Sequence, residues 1–273
     1  MPELPEVETV CRGLKPLVQG QQITKVVARR KDLRIPLPPD MAKKLTGKTI
    51  QSVKRRAKYI LLVLDTHQVL LMHLGMSGRV MVQPSPYTHQ KHDHVVLYLA
   101  NGTELVFNDP RRFGLITLTT EEALPTHSLL VHLGVEPLTA AFDGKALYAM
   151  TRNKKVAIKQ LLMNAALVVG VGNIYASESL FTAGVSPLRQ AGKLTLKEAG
   201  TLAKAIKDVL SAAIKSGGST LRDFVGSNGE SGYFQHHFSV YGKAGQPCEH
   251  CGHQIKQIKQ SGRSTFFCPK CQK

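Results

Sequence analysis

Four of the five cysteines, Cys248, Cys251, Cys268 and Cys271, fall in the last 26 residues as two CxxC pairs separated by 16 residues. Each pair presents two thiolates at a tight turn, and two such turns complete a tetrahedral sulfur site for one structural zinc ion. Four thiolates leave no open coordination position, so the metal has no catalytic role. Between the pairs, QIKQIKQ and STFFC joined by SGR predict a hairpin. So small a unit has too little core to fold unaided, and the metal supplies the folding energy. The opening MPELPEVETV holds three glutamates and no lysine or arginine, unlike a secretory signal. A reducing compartment follows as the expectation, and with it a metal rather than disulfides. Cys11, on the first helical stretch, reads as a small buried apolar residue.

Pro2 is the second candidate. Removal of Met1 before this small residue would leave a secondary amine. An α-amino group titrates near about 8, against about 10.4 for lysine, so more of it is neutral and nucleophilic at pH 7. Such an amine suits Schiff-base chemistry at an electrophilic carbon. Glu3 and Glu6 stand beside it as proton donors. Taken alone, Pro2 is also a routine second residue. Lys58, in KRRAK, reads by default as part of a solvated strand edge. Arg263 follows the predicted hairpin turn, where a guanidinium can fork onto a phosphate or simply face solvent.

Lys and Arg number 36 against 19 Asp and Glu, a net charge of +17 over 273 residues. That balance points to a polyanionic partner, nucleic acid above all. Apolar residues make up 42%, enough for two or three packed domains. No apolar run nears the roughly 18 residues that a membrane span needs, so a cytoplasmic location and no membrane partner are expected.

The elements that must position these groups divide the chain in two. After Pro5, the spacing of Val7, Val10, Leu14, Leu17 and Val18 predicts a helix that begins almost at once. Between Gln21 and about Thr119 come strand-like runs: ITKVVA, TIQSV, YILLVLD, QVLLMHL, RVMV, HVVLYLA and TELVF. Asn101-Gly102 marks a hairpin between the last two. Short strands at this spacing predict an antiparallel sandwich or barrel. The second half is helical. NKKVAIKQLLMNAA and NIYASESLFTAG have helical character, and a longer helix opens on Thr195 and Glu198 in capping-box spacing and stops at Gly217-Gly218. Residues 218–237, rich in Gly and Ser, predict a loop. No internal repeat is present.

The opening MPELPEVET, RRAKY with Lys58, HLGMSGR, KHDH, DPRRFG, VVGVGNIYASE and the terminal cysteine module run in order from residue 1 to residue 273. Together they resemble the formamidopyrimidine-DNA glycosylase family. Leu4, where the related endonuclease VIII has glycine, and the DPRRFG segment favour the branch that repairs oxidised purines.

The resemblance implies a multidomain α+β fold. An N-terminal antiparallel β-sandwich with a flanking helix would span 1–131, a helix-two-turn-helix domain with a lesion loop 132–238, and a zinc ribbon 239–273. It implies base-excision repair of formamidopyrimidines and 8-oxoguanine, by a glycosylase that is also an abasic-site lyase. Pro2 would be the Schiff-base nucleophile and Glu3 the proton donor for base loss. Lys58 would assist base loss and the first elimination, and Arg263 the second elimination and phosphate binding. Met76, Arg111 and Phe113 would fill the hole left by the flipped nucleotide. Periodicity alone instead places Met76 and Phe113 in a core. His92, Lys155 and Asn173 would contact the DNA backbone, Asn173 at a helix start. A monomer acting on damaged duplex DNA without a small-molecule cofactor completes the expectation. A pyrimidine-directed glycosylase and a non-catalytic zinc-ribbon DNA binder are the rival readings. The second is separated by whether Pro2, Glu3 and Lys58 converge.

Overall fold

The structure, a computed structural model, describes residues 2–219 and 233–273. Met1 and most of the predicted 218–237 loop lie outside the described residues. The chain divides into two compact units. The first comprises the residues up to Val131 together with 216–219 and Tyr233; the second comprises 132–215 and 234–273.

In the first unit, α1 (Leu4–Val18) carries Pro5 in its opening turn, where a missing N–H costs nothing. Val7, Val10, Leu14 and Val18 are buried as their spacing predicts, whereas Leu17, at the edge of the same face, is 40% exposed. Eight antiparallel strands follow: β1 (Ile23–Ala28), β2 (Ile50–Arg56), β3 (Tyr59–Leu64), β4 (Gln68–His73), β5 (Arg79–Pro84), β6 (Asp93–Leu99), β7 (Thr103–Asn108) and β8 (Leu115–Thr120). They form two four-stranded sheets, ordered β1-β6-β7-β5 and β2-β3-β4-β8. Ile23 and Val95 of the first sheet, Ile60, Leu62 and Met72 of the second, and Val10 and Leu14 of α1 share one core. This is the predicted sandwich with its flanking helix. Gly102, at φ +76, makes the predicted turn between β6 and β7. Strand β8 matches none of the runs named above, because its threonines dilute the apolar signal.

The second unit holds α3 (Gly144–Thr151), α4 (Ile158–Leu162), α5 (Asn173–Thr182), α6 (Leu196–Lys215) and the β9–β10 hairpin (Lys256–Gln260, Arg263–Phe267), with α2 (Met41–Leu45) belonging to the first unit. The capping box of α6 is present: Thr195 N–H donates to Glu198 Oε2 at 2.8 Å, and Glu198 N–H to Thr195 Oγ1 at 3.2 Å. Helix α3, which the periodicity did not mark, starts on Asp143, whose carboxylate takes the Ala146 N–H at 2.7 Å. Gly144 permits its crossing with α6, since a Cβ there would lie 2.6 Å from Gly200 Cα.

The helix expected over NKKVAIKQLLMNAA shrinks to five residues. Asn153 is left-handed at φ +59, and 156–158 run extended beside 189–191, with Ala191 N–H on Val156 O and Ile158 N–H on Arg189 O. Backbone pairing with a distant segment has overridden local periodicity. Nor do the described ends of 218–237 form plain loop: Phe234–His237 is a 3-10 turn with Phe234 buried, and Phe238 follows it into the core.

Candidate active site and nucleic-acid interface

Pro2 and Glu3 are both buried at the head of α1. Glu3 is the N-cap, 4% exposed, and its N–H donates to Glu6 Oε2 at 2.8 Å. Glu6 Oε1 in turn accepts Ser219 N–H at 2.9 Å and Ser219 Oγ at 3.1 Å. Two orphan donors of different segments thus end on one carboxylate that also complements the helix dipole. Lys58 sits half-exposed in the two-residue turn between β2 and β3. Arg55 tethers that turn to α1, donating Nε to Glu8 Oε2 at 2.8 Å and NH1 to Ala57 O at 2.9 Å.

Met76, Arg111 and Phe113 lie on two loops that one buried carboxylate holds together. Asp109, fully buried, accepts Ser77 Oγ at 2.7 Å and Gly114 N–H at 2.7 Å, and Arg111 N–H donates to Ser77 Oγ at 3.2 Å. Gly75, at φ +62, lets the loops touch: a Cβ there would meet Phe113 C at 2.3 Å. On this rigid base Met76 is 38% and Phe113 46% exposed, with the Arg111 guanidinium 4.9 Å from the Phe113 ring. The core reading of Met76 and Phe113 fails. Large apolar side chains held out by a polar scaffold are suited to insertion between bases.

Two histidines flank these loops. Burial pushes the His73 imidazole down to about 4, helped by the Lys58 and Arg34 cations. It is neutral at pH 7, and its Nδ1 accepts Gly75 N–H at 2.9 Å, which leaves the proton on Nε2 as an uncharged donor. Sequence reading missed His73, although it lies inside HLGMSGR. His92 is half-buried, its carbonyl accepting Asp109 N–H at 3.0 Å. The neighbouring Asp93 fixes the approach, accepting Gln90 N–H at 2.6 Å and Asn108 Nδ2 at 2.8 Å.

In the second unit, Asn173 opens α5 behind Gly172. Its amide Nδ2 donates to Ser264 O at 2.9 Å and its Oδ1 accepts Lys159 Nζ at 2.7 Å. Lys159, 1% exposed, also donates to Thr265 Oγ1 at 2.7 Å and Ser264 O at 3.2 Å, so its three protons meet three oxygens. The Asn173 side chain is thereby committed to holding β10 against α4 and α5, leaving its backbone N–H as the group at the helix start. Lys159, another residue the sequence reading passed over, lines with Asn173, Gln160, Met163, Gln260 and Arg263 a cavity of about 230 Å³. Arg263 follows the Ser261-Gly262 turn, exposed as expected, and Lys155 is exposed on the stretch before α4. Glu178 of α5 accepts the N–H groups of Ser239, Val240 and Tyr241 at 2.7 to 3.0 Å. Burial pushes its carboxyl up against those three donors.

The sulfur atoms of Cys248, Cys251, Cys268 and Cys271 lie within 4.8 Å of one another, with Cys251 to Cys268 at 3.5 Å and Cys248 to Cys271 at 3.9 Å. Tetrahedral zinc with bonds of about 2.3 Å requires sulfur separations of about 3.8 Å, so the four residues fit one ion. Cys11 stands apart in the first unit; burial pushes its thiol up to about 12, and its Sγ faces Lys54 O at 3.6 Å. No helix among the described residues is long and apolar enough to cross a membrane.

Three family models match the chain: the formamidopyrimidine-DNA glycosylase N-terminal domain over 1–116, the H2TH domain of the same enzymes over 133–225, and the zinc finger found in FPG and IleRS over 245–273. The formamidopyrimidine-DNA glycosylase of Roseobacter denitrificans is 49% identical over 283 residues, and that of Xanthomonas euvesicatoria 50% over 273, with both chains fully covered in each case. Among solved structures, Lactococcus lactis FPG mutant G226P in complex with Fapy-dG containing DNA superposes with a TM-score of 0.92 at 36% identity, covering all of both chains. The Lactococcus lactis Fpg complex with an abasic site containing DNA gives 0.91 at 37%, covering 99% of each.

Proposed function

The chain belongs to the formamidopyrimidine-DNA glycosylase family, a DNA-binding base-excision repair glycosylase with one structural zinc, and from that premise we propose that it both excises oxidised purines and cleaves the strand. The substrates are formamidopyrimidines and 8-oxoguanine in duplex DNA, in keeping with the Fapy-dG and abasic-site DNA held by its solved relatives. The reading extends to a monomer acting in the cytoplasm, without a small-molecule cofactor, and to a functional division at 1–131, 132–238 and 239–273.

After removal of Met1, the Pro2 nitrogen attacks C1′ of the everted nucleotide. The N–C1′ bond forms as the glycosidic bond breaks, and the base leaves with the electron pair and a proton from Glu3. The amine proton passes to O4′ as the C1′–O4′ bond opens with its electron pair on that oxygen, and the nitrogen lone pair closes the iminium. Removal of a C2′ proton, assisted by Lys58, expels the 3′ phosphate, and a second elimination expels the 5′ phosphate, which Arg263 holds. Arg111 and Phe113 occupy the vacated stack with Met76, while His92, Lys155 and Asn173 hold the backbone. Cys248, Cys251, Cys268 and Cys271 hold the zinc that keeps Arg263 on a folded hairpin.

The observation that carries this reading is the burial of Pro2 and Glu3 at the head of α1. Chain starts are exposed as a rule. A terminal amine at Pro2 would stand next in sequence to the Glu3 carboxyl, which is shielded from water. Borohydride trapping on an 8-oxoguanine duplex tests it. Mass spectrometry should find the adduct on Pro2, and protein retaining Met1 should give none. A cross-link on Lys58 with Pro2 unmodified overturns the assignment.

A further inference from the structure

The turn that carries Lys58 is built against its own sequence. Arg56 pairs with Tyr59 across the β2–β3 ladder, leaving Ala57 and Lys58 as a two-residue loop. Ala57 has φ +52 and is 3% exposed. Hairpin loops of this length reserve such left-handed positions for glycine, asparagine or aspartate, since a Cβ disfavours them. An alanine stays there only where its surroundings over-determine it.

Arg55 and Glu8 belong to those surroundings. Arg55 holds the Ala57 carbonyl with NH1 at 2.9 Å and the Glu8 carboxylate with Nε at 2.8 Å. The other Glu8 oxygen takes Arg12 Nε at 2.9 Å. The Arg55 and Glu8 side chains are 11% and 22% exposed, so solvent screens the pair little. Burial pushes the Glu8 carboxyl up, and the Arg55 and Arg12 guanidiniums outweigh it, holding the group below the usual carboxylate range. Glu8 lies on α1, the helix capped by Glu3. A plain ion pair would need no bond to the Ala57 carbonyl; that second arm is what couples the loop backbone to the helix.

We propose that Glu8 and Arg55 form a clasp that fixes the Lys58 loop relative to the head of α1, which makes Arg55 a positioning residue for the step that Lys58 assists. The proposal rests on the assignment of Lys58 to base release and the first elimination. Only a planar guanidinium reaches both acceptors, so charge alone does not substitute for it.

A double-mutant cycle under single-turnover conditions tests the clasp, with an 8-oxoguanine duplex as probe. Arg55→Met should slow excision at least tenfold in the otherwise native protein, with DNA affinity changed less than twofold. Arg55→Lys should stay impaired. In a Lys58→Ala background, Arg55→Met should add no more than a twofold loss, because the group it positions is gone. A loss that multiplies fully in both backgrounds, or an active Arg55→Lys, overturns the clasp and leaves the Lys58 assignment standing. A Lys58→Ala protein that excises at the native rate overturns that assignment, and the clasp with it. Should Arg55→Met fold poorly, Glu8→Gln carries the same cycle, since the amide keeps the shape and loosens the grip on Arg55.

Discussion

The Ser77 hydroxyl donates to Asp109 Oδ1 at 2.7 Å, and this buried hydrogen bond joins the loop of Met76 to the loop of Phe113. Ser77→Ala leaves Asp109 Oδ1 and the Arg111 N–H without that partner. An orphaned buried polar group costs about 1 to 3 kcal/mol, so thermal unfolding should move down measurably. Phe113→Ala provides the contrast. Its ring is 46% exposed, so the melting temperature should barely change while lesion excision falls. A large drop in melting temperature for Phe113→Ala would return the ring to a structural role.

Glu3→Gln should keep lesion-DNA affinity and lose excision by about 10² to 10⁴, the usual worth of general acid catalysis. The amide retains the shape of the cap and has no carboxylic proton to deliver. Glu6 is a poor substitute donor, because its oxygens already accept from Glu3 and Ser219. Single-turnover excision beside equilibrium binding measures the split, and near-native excision would move the acid role off Glu3.

His73 makes stability depend on pH. Its folded value of about 4 lies below the ordinary 6.5, so the unfolded chain takes up a proton that the folded one refuses. The contribution is fully present above about 6.5 and is lost as pH falls towards 4, amounting to about 3 kcal/mol. His73→Asn keeps an acceptor near the Gly75 N–H and does not titrate. Urea unfolding from pH 7.5 to 4.5 should show a shallower decline for the variant than for the native chain. Parallel declines would mean that His73 is not held neutral.

Zinc removal should act on the second unit alone. The last strand is bound to Lys159 and Asn173, and the residues after it to 184–186, where Lys273 N–H meets Gly184 O at 3.0 Å and Ser186 N–H meets Lys273 O at 2.8 Å. Cys271→Ser, or chelation, should release the hairpin, weaken DNA binding at least tenfold and leave the first unit folded. Metal analysis should give one zinc per native chain; active protein free of zinc would refute the site.

The cysteine ribbon, the first helix and the β6–β7 turn were legible in sequence because each depends on local rules: ligand spacing, apolar periodicity, and Asn-Gly at positive φ. The supports of the candidate site were not. Asp109 and Ser77 are 32 residues apart, Arg55 and Glu8 47, and Lys159 and Thr265 106. No local pattern pairs them. Ala57 shows the same limit from the other side: alanine in a tight turn sends no signal of left-handed strain. NKKVAIKQLLMNAA misled because its partner strand, 189–191, lies outside any window that periodicity can see.

The Glu6–Ser219 contact spans 213 residues of chain, which orders events during synthesis. By the time Val131 is made, every strand of both sheets already exists, yet the carboxylate that caps Glu3 still lacks the serine that occupies its other oxygen. About ninety more residues must be translated, on the order of ten seconds at ordinary rates of synthesis. At Val131 all eight strands are translated and Ser219 is not, so the Glu6 carboxylate at the head of α1 gains its Ser219 donors only late in translation.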